Sequence, residues 1–293
     1  MSLKQSLLQN GYAIIQDFYS SYETEQIRKP CISNQFEKTD SVILGDIITH
    51  DPFRKIIFKK ELLDVLRELE LSNYVCDGSA RGDDNIITRN TRKLHTDSRA
   101  DDFDFTKHYG IYRFGIYLQS SSQEGGGLKL RPKSHKYLCI DHGNFYEGLY
   151  RLYKYIMKYK KIPQITFSGG INVKTEPSDL LIWNMRTHHS GHAIRLKFFK
   201  NLSLHPLIEN IVPKKWIIKS NEKRCVVFFA FSDNSNYAIE YYNYVKNHPC
   251  NKKHFTNSDF ESKNLKEFLV TNDLHLMTEF DEKIKNLPKK YYF

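Results

Sequence analysis

The feature that most limits what this chain can fold into is a succession of short strand-like runs. They fall at residues 90–96, 111–118, 128–131, 171–175, 180–183, 192–198 and 225–231, separated by clusters of Gly, Pro, Ser and Asp. Many short strands punctuated in this way belong to sandwiches and jelly rolls. Alternating strand and helix units of the kind that build a parallel α/β sheet are not visible. The expectation is a mainly β fold with a jelly-roll core over 86–235, flanked by helices.

All-β folds often use a length of 293 residues as one unit, so a single domain over 1–293 is expected. Hydrophobic residues make up 40% of the chain, with 19 Tyr and 19 Phe, enough for a sizeable core and too much for a disordered chain. Lys and Arg exceed Asp and Glu by 44 to 34. The resulting +10 favours anionic partners. No compact basic run resembles a nucleic-acid tail, so a generally basic surface is the simpler reading. The five cysteines, Cys31, Cys76, Cys139, Cys225 and Cys250, are widely spaced without a Cys-x-x-Cys pair. Neither a disulfide framework nor a zinc knuckle is indicated. No stretch approaches the length of apolar sequence that a membrane span needs, and no apolar signal segment opens the chain, so a cytoplasmic protein is expected.

The 1–85 portion reads as a strand at 11–18 followed by helices. Ser20 and Ser21 with Glu23 and Glu25 offer a helix start, and Pro30 a stop after about Lys29. A second helical stretch opens at Asp51-Pro52 and runs through Leu69. Within the core, 143–162 reads as a helical insertion. Leu149, Leu152, Tyr153, Ile156 and Met157 form its apolar stripe, and Arg151, Lys154, Lys158 and Lys161 line another face. Such a helix could cover an acidic substrate or lie on a membrane surface, but a packed helix with a solvated basic face is the plainer reading. Residues 202–223 look like a lid-like insertion, and 236–293 like a C-terminal helical cap.

The chemistry is concentrated in His95-Thr96-Asp97 and, about ninety residues later, Arg186-Thr187-His188-His189-Ser190-Gly191-His192. Two residues apart on an extended strand, His95 and Asp97 point to one face and can share a metal ion. A His from a distant strand would complete two imidazoles and one carboxylate, the facial set that leaves positions open for oxygen chemistry at iron(II). Alone, a His-x-Asp is equally an ordinary strand-edge His with a turn-forming Asp. Asp101, Asp102 and Asp104 could bind a second cation, though a solvated loop is the stronger reading. There is no Gly-x-Ser-x-Gly elbow and no His-Glu-x-x-His helix, which ranks hydrolases low.

Between the two His motifs lie Gly126-Gly127-Leu128-Lys129-Leu130-Arg131-Pro132-Lys133-Ser134-His135-Lys136 and Asp179-Leu180-Leu181-Ile182-Trp183-Asn184. This order of motifs, over about residues 10–235, resembles the phytanoyl-CoA dioxygenase family of iron(II)- and 2-oxoglutarate-dependent oxygenases. The resemblance implies a double-stranded β-helix, a cupin-like jelly roll, with iron(II) held by His95, Asp97 and the distal His of Arg-Thr-x-His, which is His189. An extended segment turns His188 to the opposite face, so the order of preference is His189, His188, His192. It also implies 2-oxoglutarate and dioxygen as cosubstrates, and an Arg for the distal carboxylate of 2-oxoglutarate. Arg224 is preferred because it opens the last expected barrel strand; Arg195 is the other match. Guanidinium suits bidentate carboxylate binding. His135 is a turn residue in this reading, and Gly125-Gly126-Gly127 a tight turn.

The implied activity is hydroxylation of a small molecule, anionic or carrier-linked by the charge argument, with desaturation and ring closure also open. Asp97 stands where the related halogenases lack a carboxylate. The competing readings are an oxygenase acting on nucleic acid or protein and a non-catalytic jelly-roll binding protein.

Overall fold

The computed structural model describes residues 1–32, 45–83, 93–98, 105, 108–139, 145–163, 169–191, 193–199, 201–218, 224–248 and 251–281. The N-terminal part contains α1 (Leu3–Asn10), β1 (Tyr12–Ile15), α2 (Ser21–Ile32), α3 (Asp51–Ile57), α4 (Lys60–Glu68), β2 (Asn73–Tyr74) and β3 (Ser79–Asp83). Then come β4 (Ile111–Tyr117), α5 (Ser121–Glu124), β5 (Lys129–Leu130), α6 (Phe145–Tyr159), β6 (Ile171–Asn172), β7 (Leu180–Asn184), β8 (His189–Ser190) and α7 (Pro206–Glu209). The chain ends with β9 (Arg224–Ser232), α8 (Asn236–Asn247), α9 (Lys252–Thr256), α10 (Lys263–Thr271) and β10 (His275–Leu276).

Two sheets result. The larger runs β1-β7-β4-β9-β2-β10, with β3 also paired to β9, and the smaller runs β6-β5-β8. Apart from the parallel β2–β10 pair, the named pairings are antiparallel.

Strand parity divides the large sheet into two buried faces. Leu181 and Trp183 of β7, Tyr117 of β4 and Val226 of β9 pack with Leu128, Leu130 and Val173 from the small-sheet side, forming the core between the sheets. The alternate residues Leu180, Ile182, Phe114, Ile116, Val227, Phe229 and Phe231 join Ile27, Leu62, Leu66, Tyr242 and Leu265 of the helices in the main core. With both faces covered, β9 reads as a nearly continuous apolar run rather than a polar-apolar alternation. Each fully buried Phe or Val contributes about 1.5 to 3 kcal/mol relative to exposure.

Several expectations are corrected. Helix α2 continues to Ile32 with Pro30 inside it. Pro30 is tolerated there although its ring removes an N–H from the helix ladder. The helical stretch expected over 51–69 consists of two helices, because Phe58 leaves the helical region (ψ 47) and Lys59 is extended (φ −70, ψ 168). The sheet does not begin at 86: β1, β2 and β3 all belong to it. Of the strand expected over 192–198, residues 193–198 form none; Ala193 bonds to Gly126 and Gly127, and the Leu196↔Ile217 bridge joins a small core of Ile194, Leu196 and Ile217 with Leu204 and Val212. The cap carries β10 as well as helices.

The stripe expected to bury α6 is, apart from Leu152, turned outward. Tyr153 and Met157 are 59% and 49% exposed, whereas Arg151 is buried. Tyr155, with Leu152 and Tyr159, makes the packed contact with Leu138 and Phe105. Parts of the expected strand at 90–96, Asp101, Asp102, Asp104, His192 and Cys250 lie outside the described residues.

Candidate metal centre

His95 and His189 are direct partners in an antiparallel bridge, each N–H donating to the other's carbonyl at 2.9 and 2.8 Å. Residues opposite one another in such a pair place their side chains on one face. The two imidazoles accordingly stand together, with ring centroids 4.3 Å apart. After His95 the chain bends, and the N–H groups of Asp97 and Ser98 both donate to the Met185 carbonyl. This bend carries Asp97 to the side of the two imidazoles. Its Oδ1 lies 3.5 Å from His189 Nε2 and 4.0 Å from His95 Nε2. One ligand atom from each residue lies within 4.8 Å of the others, and among the described residues this is the one such group of His, Cys, Asp or Glu.

The other ring nitrogens are already engaged. His189 Nδ1 lies 3.1 Å from the Thr187 carbonyl and His95 Nδ1 lies 3.2 Å from the Lys93 carbonyl. A carbonyl only accepts, so in the neutral imidazole Nδ1 carries the hydrogen and Nε2 keeps the lone pair aimed at its neighbours. Burial pushes His189 down to about 4, against the pull of Asp97, so this imidazole is neutral at pH 7. Burial alone would raise the Asp97 carboxyl; His189 and the Arg113 guanidinium outweigh it and hold it at about 2. The set offers the Nε2 atoms of two imidazoles and an ionised carboxylate oxygen, the donor types that a divalent metal takes.

The centre opens into a cavity of about 560 Å³, whose lining includes Arg113, Leu128, Trp183, Arg224, Phe228 and Tyr241. Arg113, Trp183, Arg224 and Phe228 occupy the inward strand parity already defined by Tyr117, Leu181 and Val226. Arg224 is buried, donates from Nε to the Gly126 carbonyl at 2.7 Å, and lies 5.6 Å from the Tyr117 ring centroid. Burial, opposed by Arg224, raises the Tyr117 hydroxyl to about 12. Arg195 lines a separate, smaller cavity with Ser121, Gly125 and Asn172.

His188 is buried on the other face of β8's approach. Its N–H donates to Ser134 Oγ at 2.8 Å, and its carbonyl accepts from the Arg131 N–H at 2.9 Å. His135 reaches back to the Leu8 carbonyl at 3.2 Å and packs over Gly11, where a Cβ would lie 2.4 Å from its Nδ1. Burial lowers His135 to about 4. Neither belongs to the metal-ligating group. Gly125 and Gly126 both adopt φ near +73, the left-handed turn that glycine permits before β5.

The sequence reading missed Arg113, Asp77 and Tyr241. Arg113 Nη1 lies 2.9 Å from Asp77 Oδ2, Nε lies 3.4 Å from Asp97 Oδ2, and Nη2 donates to the Tyr241 hydroxyl at 3.4 Å. A signal was available: an Arg inside the apolar run Ile111-Tyr112-Arg113-Phe114 must find a buried partner. The contribution of α8, which brings Tyr241, Tyr244 and His248 to the cavity wall, had no comparable signal.

No protein-family model and no curated protein matches this sequence. Solved structures do. The non-haem α-ketoglutarate-dependent carbocyclase SnoK from nogalamycin biosynthesis aligns with a TM-score of 0.50 and 14% identity, over 80% of this chain and 84% of that one. HygX from Streptomyces hygroscopicus, with nickel and 2-oxoglutarate bound, gives 0.48 and 14%, over 79% and 86%. EctD from S. alaskensis in its apoform gives 0.47 and 14%, over 80% and 77%. The fold is a double-stranded β-helix, the jelly roll of cupin-like enzymes, with flanking helices.

Proposed function

We propose that this chain is an iron(II)- and 2-oxoglutarate-dependent oxygenase of the phytanoyl-CoA dioxygenase-like kind that hydroxylates a small molecule. The observation that carries the reading is the convergence of His95 Nε2, His189 Nε2 and Asp97 Oδ1, each preset by a second contact, at the wall of a cavity that also holds a buried guanidinium. Two imidazoles and one carboxylate form the donor set of non-haem iron(II) oxygenases. His95, Asp97 and His189 would hold the metal, and Arg224 the distal carboxylate of 2-oxoglutarate.

When bound, iron(II) with 2-oxoglutarate and dioxygen supplies C–H oxidation coupled to formation of succinate and carbon dioxide. The chain's own groups prepare for it. Arg113 keeps Asp97 ionised and engages its Oδ2, leaving Oδ1 toward the imidazoles. Trp183, Leu128 and Phe228 supply apolar wall that limits water beside the centre. Tyr241, Tyr244 and His248 supply polar contacts for a substrate. A cavity of about 560 Å³ fits a small molecule beside a dicarboxylate. An anionic substrate group would meet Arg81 and Lys93 there; among the described residues, Lys154 and Lys158 do not line this cavity. The presence of Asp97 supports hydroxylation over halogenation.

The test is oxygen consumption and succinate formation by the purified chain with iron(II) and 2-oxoglutarate. Slow turnover without substrate that stops when either is withheld is expected. Iron binding with no 2-oxoglutarate-dependent oxygen uptake would leave a binding protein in its place.

A further inference from the structure

The outward face of α6 combines two properties seldom left together in water. Tyr146, Leu149, Tyr150, Tyr153, Ile156 and Met157 are 36% to 83% exposed. Their spacing of three or four residues makes one continuous stripe about 17 Å long. Along one border run the exposed Lys154 and Lys158, with ammonium groups 5.3 Å from the Tyr150 ring centroid and 5.1 Å from that of Tyr159. Glu147 is the only acid in the helix sequence. Arg151 and Tyr155, on the opposite side, are buried against the protein. The helix is thus held by one face and presents an apolar, cation-edged face outward.

Exposed apolar patches of this extent mark interaction surfaces. Tyrosine in quantity, with aliphatic side chains and bordering lysines, is the composition of a helix lying in a lipid headgroup layer. A second copy of the chain fits less well, since the lysine border of one copy would find almost no acid on the other. We propose that this face of α6 seats on an anionic phospholipid bilayer, its apolar side chains entering the headgroup region and Lys154 and Lys158 meeting lipid phosphates. The described residues between 197 and 216 carry the same combination. Phe198, Phe199, Ile211 and Trp216 are exposed beside the exposed Lys197, Lys214 and Lys215, while Glu209 is buried against Lys129. Among the described residues no helix is long and apolar enough to cross a membrane, so the attachment is peripheral. The formal +10 of the chain favours encounter with an anionic surface.

The test is co-sedimentation of the full chain with vesicles of phosphatidylcholine alone or mixed with phosphatidylserine. Binding to the mixed vesicles, absent on phosphatidylcholine and weakened by salt, is expected. Lys154→Glu/Lys158→Glu should weaken it by roughly 30-fold or more. Tyr153→Ser/Met157→Ser should also weaken it, with unchanged circular dichroism and melting showing that these exposed substitutions leave the fold intact. No binding to mixed vesicles would overturn the proposal, as would binding that both variants leave unchanged. A dimer that the Tyr153→Ser/Met157→Ser variant dissociates would give the face to a second copy instead.

Discussion

Replacing Arg113 with Met removes the guanidinium that bridges the ligand carboxylate of Asp97 and the carboxylate of Asp77 behind it. It lies 2.9 Å from Asp77 and 3.4 Å from Asp97. At an effective dielectric of about 20 these contacts correspond to about 6 and 5 kcal/mol before desolvation is counted. Arg113 and Asp77 are only 13% and 10% exposed, so solvent screens their contact weakly. Asp77 is already raised above the usual carboxylate range by burial, with Arg113 pulling the other way. Removing Arg113 leaves the largely buried Asp77 without its nearest cation and beside the like charge of Asp97, a change that costs about 3 to 5 kcal/mol in net stability. Urea denaturation of the metal-free protein at neutral pH measures it. Adding Asp77→Asn to Arg113→Met should recover part of the loss by removing one of the two orphaned charges. A loss under about 1 kcal/mol, or a double variant no more stable than the single, would refute the reasoning.

Three other perturbations separate roles in the same way. Arg224→Ala should raise the KM for 2-oxoglutarate by roughly two to three orders of magnitude, while Arg195→Ala, in a different cavity, leaves it near wild type; steady-state oxygen uptake distinguishes them, and the reverse pattern would exchange the assignments. Lys129 and Glu209 are 0% and 1% exposed and pair at 2.7 Å. Lys129→Met should therefore cost about 3 to 5 kcal/mol in denaturant unfolding and Lys129→Met/Glu209→Leu far less. His254 is raised above its ordinary value: burial would lower it, but the Asp46 contact at 3.1 Å outweighs burial. Its stabilising contribution is complete below the unfolded value near about pH 6.5 and fades as pH rises through the raised folded value. The unfolding midpoint should fall over that interval, and His254→Gln should flatten the fall.

Much of the β architecture was legible because its strands are buried on both faces, so the runs ending in Trp183 and Phe231 announce themselves without alternation. Strand parity separates His188 from His189, since adjacent strand residues face opposite ways. What escaped depended on tertiary partners. Periodicity says that one face of α6 is apolar but not that it faces the core; here Arg151 and Tyr155 take the buried side. The two-residue β2 and β10 are too short to carry a period; β2 exists because the edge of β9 offers it a ladder, and β10 because β2 then offers the next one. Asp77 follows Tyr74, Val75 and Cys76 with nothing in the sequence to tie it to Arg113, thirty-six residues on.

If His95, Asp97 and His189 hold one iron(II), metal stoichiometry in single variants will show it. Wild type and His188→Ala should each bind one iron(II) per chain, whereas His95→Ala, Asp97→Ala and His189→Ala should lose affinity by more than about 100-fold. Full iron in His189→Ala together with its loss in His188→Ala would contradict the account.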